Sequence, residues 1–244
     1  MTTEASSVGG SAVDFEQVVD TEKKAINELL VVIASAFILQ MQLGFAFIEN
    51  GLVHKKNSKN ILIKNVFDVC IGTCTFWFFG YGIAFGHSIS AGDQTSGSFI
   101  EVNTDLFASQ GFPTMKANNY LMWVFQYSFA ATSATIVSGS LAERTQLPAY
   151  LVFSAIMTGF IYPVAVGWCW GGGWLGDVNP HGKGFHDFAG AGLVHTIGGV
   201  AGFIGAYIVG PRHGRERERA ARKDVMEQQQ AIDWINSQNS PVQV

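Results

Sequence analysis

Lysine and arginine are absent from Asn65 to Met115. Most of those elsewhere gather in two places: Lys55, Lys56, Lys59 and Lys64, then a tail from Arg212 to Lys223. Between such clusters the chain falls into long apolar runs. About twenty apolar residues in a helix suffice to cross the hydrocarbon core of a bilayer. Five runs of roughly that length are legible, at about 26–53, 61–85, 120–141, 148–168 and 187–209. Only 14% of the residues are charged, against about 25% in a soluble domain. Hydrophobic residues make up 48% and the mean hydropathy is +0.22. The expected fold is all-α: a polytopic membrane bundle of about five transmembrane helices. A net charge of −4 gives no argument for a nucleic acid or an acidic partner.

The flanks read differently. Residues 1–24 are polar and acidic and are expected to form a flexible tail. No basic stretch precedes an apolar one at the start, so no cleaved signal peptide is expected. Residues 25–211 form the membrane domain and 212–244 a charged, solvated tail, with a weak polar helix over 224–234. The loop over 86–118 is rich in Gly, Ser, Asp and Asn and carries Asp93, Glu101 and Asp105 against Lys116. Basic loops stay cytoplasmic. That rule places the N-terminus outside and the C-terminus in the cytoplasm, which agrees with an odd number of spans. Cys70 and Cys74, four apart in an apolar run, stack on one helix face as core or lipid-facing residues. No disulfide framework, metal-ligand spacing, nucleophile elbow or phosphate loop is present, so neither an enzyme nor a bound cofactor is expected.

The most informative stretch runs from Asp187 to His195. It sets a carboxylate at the start of the last apolar run and an imidazole two turns inside it. Ionisable groups at bilayer depth are costly and usually face a pathway or cavity. His195 can line a path for water or ammonia or pass a proton, or it can bond to a neighbouring helix. Asp187 can cap the helix start, stabilise a cation near a pore mouth, or both. Trp170 precedes Gly171-Gly172-Gly173, whose backbone freedom can hold the indole at the membrane edge. It reads either as an ordinary interfacial aromatic or as a cation–π platform worth about 0.5–2 kcal/mol. Phe129 reads as core or as a second aromatic wall. Glu49 is expected to bond with helix ends or with Asn65. Gly198, Gly202 and Ala206 recur every four residues and let another helix approach closely, which buries the fifth run in the bundle.

Several of these pieces together carry a resemblance. They are Met41-Gln42-Leu43-Gly44-Phe45-Ala46, Glu49-Asn50-Gly51-Leu52-Val53, Lys59-Asn60-Ile61 and Gly139-Ser140-Leu141-Ala142-Glu143-Arg144. To these add Trp170-Gly171-Gly172-Gly173, Asp187-Phe188-Ala189-Gly190 and Val194-His195. From about Leu30 to Arg212 the chain resembles the ammonium transporter / methylammonium permease / Rhesus family, in its ammonium transporter branch. The resemblance implies an external recruitment site at Trp170, a gating phenylalanine at Phe129, an aspartate supporting recruitment and deprotonation at Asp187, and the first pore histidine at His195. It implies ammonium or ammonia, and methylammonium, as solutes, a trimeric assembly, and a plasma-membrane location. Family members have about eleven spans, in two inverted five-span halves. This chain resembles the first half, as a truncated or alternatively spliced form would. Two expectations follow: transport of ammonium, or a non-conducting subunit that associates with full-length relatives and regulates them.

Overall fold

A computed structural model describes residues 15–90, 99–100, 102–114, 119–177, 184–212 and 214–239. The regular elements among them are all helical. The first apolar run forms α1 (Phe15–Leu52), 38 residues, or about 57 Å at 1.5 Å per residue. It starts earlier than the apolar pattern does. Residues 15–24, expected as flexible chain, are helical here, and Lys23 pairs with Asp20 one turn back at 3.6 Å. Residues 1–14 lie outside the described residues.

The second run begins as α2 (Ser58–Thr75), passes through a π-turn (Phe76–Gly80) and continues as α3 (Tyr81–Ser90). The fourth run has the same plan: α5 (Leu147–Ile156), a π-turn (Met157–Ile161), then α6 (Tyr162–Cys169), with the single turn α7 (Trp174–Asp177) after it. The two π-turns pack against each other. Thr75 and Thr158 share a hydroxyl hydrogen bond of 2.6 Å there. A Cβ on Gly80 would stand 2.7 Å from the Thr158 carbonyl, so glycine is what permits the approach. Pro148 lies in the first turn of α5, where its missing N–H costs nothing.

Between these runs α4 (Asn119–Leu141) takes the centre, packed on α1, α2 and α8 (Ile197–Val209). Its position explains a difference from the five apolar spans read in the sequence. Among the described residues, four helical runs are long and apolar enough to cross a membrane: Phe15–Leu52, Lys55–Gly86, Leu147–Gly176 and Ala191–Val209. With 23 residues, about 34 Å, α4 is long enough but less apolar. It need not be apolar, because 13 of its 23 residues are buried against protein, among them Gln126, Ser128, Thr132, Ser133, Thr135 and Ser138. The architecture is an all-α membrane helical bundle with α4, whose buried residues include hydroxyls and an amide, at its centre.

The small residues of α8 meet α4 as their spacing predicts. A Cβ on Gly198 would lie 2.9 Å from the Ser133 carbonyl, and one on Gly202 would lie 2.6 Å from the Ser140 hydroxyl. Phe203, Tyr207 and Ile208 are exposed, however, so the described residues do not enclose α8. Cys70 and Cys74 are likewise exposed, on an outward face of α2.

Two further expectations change. The 86–118 segment is partly folded onto the bundle. Asn103 caps the turn at Thr104–Ser109 through the Asp105 N–H at 2.9 Å, and Phe107 meets Phe79 edge-on at 5.7 Å. Its charges Asp93, Glu101 and Lys116 lie outside the described residues. The charged tail is a longer helix than expected, α9 (Arg215–Asn239), and its apolar side chains Val225, Met226, Trp234 and Ile235 are exposed.

Candidate functional site

The last apolar run does not start its helix at Asp187. Residues 187–190 form a turn, and the helix begins as a π-turn (Ala191–Thr196) that leads into α8. Asp187 caps it. One carboxylate oxygen accepts the Gly190 N–H at 3.0 Å. The other accepts those of Gly192 at 3.0 Å and Leu193 at 2.8 Å. These are the free donors that every helix start presents, and a carboxylate also suits the positive end of the helix dipole. Gly190 makes the turn possible with φ +83°, and its carbonyl accepts from Val194 at 2.8 Å and His195 at 3.1 Å.

Trp170 closes the site from the end of α6. Its indole N–H donates to the Asp187 carbonyl at 2.8 Å. Its ring meets Phe129 of α4 edge-on, with centroids 5.4 Å apart and planes at 65°, and Phe129 in turn meets Phe125 at 5.1 Å. The glycines after Trp170 act in two ways. Gly172 takes φ +83°, whereas Gly171 allows close packing: a Cβ there would stand 2.1 Å from the Ala84 carbonyl. Trp170 and Phe129 are half-buried and Asp187 is buried at 8% exposure.

The structure thus brings three of the four sequence-derived residues into one cluster. His195 is one helical turn inside the Asp187 cap, with its side chain exposed on the surface of the chain. Among the described residues, no hydrogen bond or ring contact joins its imidazole to the other three.

A second cluster escaped the sequence reading. Lys64, counted there among loop charges, is a buried residue of α2 at 7% exposure. Its ammonium donates to the Ser138 carbonyl at 2.8 Å and lies 4.3 Å from the centre of the Tyr150 ring. Asp68, one turn on, accepts from Thr135 at 3.0 Å and from the Ser154 hydroxyl. Thr135 also bonds Gln42 of α1 at 2.5 Å. Glu49 accepts from Asn65 at 2.7 Å, the partner expected for it. The available signal was the spacing of four between Lys64 and Asp68, which puts opposite charges on one face of an otherwise apolar helix.

The sequence profile of the Ammonium Transporter Family matches residues 29–230. The chain belongs to the ammonium transporter family. It is 42% identical over 191 residues to a putative ammonium transporter of Synechocystis, a match covering 78% of this chain and 41% of the relative. It is 41% identical over 195 residues to ammonium transporter 1 member 3 of Solanum lycopersicum, covering 78% and 40%. An ammonium transporter of Haloferax mediterranei is 41% identical over 196 residues, covering 79% and 36%. The chain therefore spans well under half the length of these ammonium transporters. The Trp170, Phe129, Asp187 and His195 positions all fall inside the matched residues.

Proposed function

We propose that this chain takes part in moving ammonium across a membrane, with Trp170 and Phe129 as the recruitment surface and His195 on the path beyond. The observation that carries the reading is the Phe129–Trp170 contact at 5.4 Å, locked by the indole bond to the Asp187 carbonyl. Aromatic faces attract a cation without fully stripping its water. A bare cation inside hydrocarbon is prohibitively costly. Ammonium has a way round that cost closed to potassium: it can leave a proton behind and cross as ammonia. The N–H electron pair stays on nitrogen, and the proton passes to water or to the His195 imidazole, which can accept and donate. Asp187 contributes through the turn it holds and through its charge at the start of the helix that carries His195. The basic loop at residues 54–59 and the tail from Arg212 support a cytoplasmic C-terminus, in a plasma-membrane protein whose N-terminus lies outside.

The test is methylammonium entry into cells that lack their own ammonium uptake. Entry above the empty-vector level is expected, with a fall of about tenfold for Trp170→Leu. Background-level entry for the unaltered chain, when it is present in the membrane, removes the claim that it conducts alone.

A second reading rests on the exposure of His195 and of Phe203, Tyr207 and Ile208 on α8. A path along His195 needs an opposite wall, and full-length relatives carry further chain that could meet this face. In this reading the chain is a non-conducting subunit that associates with such relatives, in trimers, and damps their transport. Co-expression should then give co-purification and lower uptake. Unchanged uptake without co-purification rejects it.

A further inference from the structure

At the end of the bundle opposite the aromatic cluster, three pieces of chain converge on a cleft of about 550 Å³. The link between α1 and α2 contributes His54, Lys56 and Asn57. The α4–α5 turn contributes Glu143 and Arg144, and the α8–α9 junction Arg212, Arg215 and Glu218. Four permanent cations face two carboxylates there. Both carboxylates are already engaged. Glu143, held at φ 59°, accepts from Arg212 at 2.6 Å, Asn57 at 2.6 Å, and the His54 backbone at 2.8 Å and ring at 3.0 Å. Glu218 is met by the other ring nitrogen of His54 at 3.2 Å. The Arg144 guanidinium reaches the last carbonyls of α8, Ala206 at 3.4 Å and Gly210 at 3.3 Å. Among the described residues no carboxylate pairs with Lys56, Arg144 or Arg215.

From this geometry we infer that the cleft is a binding site for a phosphate-bearing anion. Lys56 and Arg215 are its charged arms and Arg144 is its floor. An uncompensated cluster of cations on one concave surface attracts an anion of matching charge. Arginine adds paired N–H donors at the spacing of phosphate oxygens, and lysine adds a mobile point charge. The location narrows the source. The cleft borders the ends of α1, α2, α4 and α8, all in the membrane bundle, and basic pockets between such helix ends take phospholipid headgroups. A soluble phosphate would meet the same residues. Either ligand would tie α9, which packs on the rest of the chain little beyond its first turn, to the α1–α2 and α4–α5 connections.

The experiment uses the purified 244-residue chain in a neutral detergent and reads binding alone, so its outcome is independent of whether the chain conducts. Native mass spectrometry and thermal shift are recorded with dioctanoyl phosphatidylglycerol, dioctanoyl phosphatidylcholine and inorganic phosphate. One retained phosphatidylglycerol per chain is expected, with Lys56→Gln/Arg215→Gln weakening it at least tenfold and Lys59→Gln, a basic residue just outside the cleft, leaving it unchanged. Both altered side chains are exposed, and unchanged circular dichroism checks that the fold persists. Saturable binding of inorganic phosphate that displaces the lipid and is lost in the double variant supports the same site with a soluble ligand. No saturable binding of either probe overturns the inference, as does equal binding by the double variant.

Discussion

Glu49, Lys64 and Asp68 lie inside the bundle, whereas Glu143, Arg212, His54 and Glu218 lie at its end. Both groups join helices through opposite charges, yet water reaches only the second. Inside, neutral donors replace water: Asn65 bonds Glu49, and Thr135 and Ser154 bond Asp68. Such a network is worth its full strength only when complete, because removing one charge leaves its partners buried and uncompensated at a cost of about 3–5 kcal/mol. At the bundle end Arg212, His54 and Glu218 are part-exposed, at 33%, 47% and 55%, around a Glu143 side chain that is 6% exposed. Exposed pairs are screened and typically contribute about 0–1 kcal/mol. The inner network therefore sets how α1, α2, α4 and α5 register, and the outer one sets where α9 leaves the bundle.

The largest effect should come from the inner group. Lys64→Met leaves Glu49 and Asp68 facing each other without a cation and should destabilise the chain by about 3–5 kcal/mol, read from unfolding in mixed micelles. Adding Glu49→Gln should recover part of that loss. A Lys64→Met cost no greater than that of Glu143→Gln would erase the distinction between the two networks. Next comes Asp187, which is buried but serves backbone donors rather than a cation. Asp187→Ala should cost about 1–2 kcal/mol and speed hydrogen exchange at the Gly190, Gly192 and Leu193 amides. Gly190→Ala forces a side chain into a left-handed conformation and toward Val194, and should cost at least about 1–2 kcal/mol in the same assay.

The smallest effect belongs to the outer network and depends on pH. Burial opposes ionisation of Glu143, but hydrogen bonds from Asn57 and His54 and the charge of Arg212 outweigh it. They hold the carboxyl below its usual value of 4.5. A carboxylate depressed in this way stabilises the fold above that usual value, and the contribution disappears as pH falls through the lower, folded value. Unfolding midpoints should thus drop more steeply below about pH 4.5 in the unaltered chain than in Glu143→Gln. A parallel pair of pH curves would show that this junction contributes nothing.

Much of the site was legible because its parts are close in the chain. Asp187 followed by a glycine turn and an apolar run reads as a cap, and the structure makes it one. The spacing of Gly198 and Gly202 foretold the face that meets α4. Other features misled for a physical reason. Lys64 looked like a loop charge because it follows Lys55, Lys56 and Lys59, and only the neighbouring α4 and α5 supply the carbonyl and ring that bury it. The run at 120–141 was legible as a membrane-length helix, but not as the central one, because hydropathy averages over a helix whose faces meet protein rather than lipid. The π-turns left no local signal; they arise where two helices must pass at glycine distance.

The sequence by itself determined that this chain makes long membrane helices, where most of them run, and which residue caps the last. Those properties depend on apolar length and on contacts between near neighbours. Only the tertiary structure decided that Phe129 meets Trp170, that a lysine and two carboxylates share one interior, and that His195 stays on the surface. Each of these depends on which helix faces which, and helix packing is settled by side-chain shape across the whole bundle rather than by any one segment.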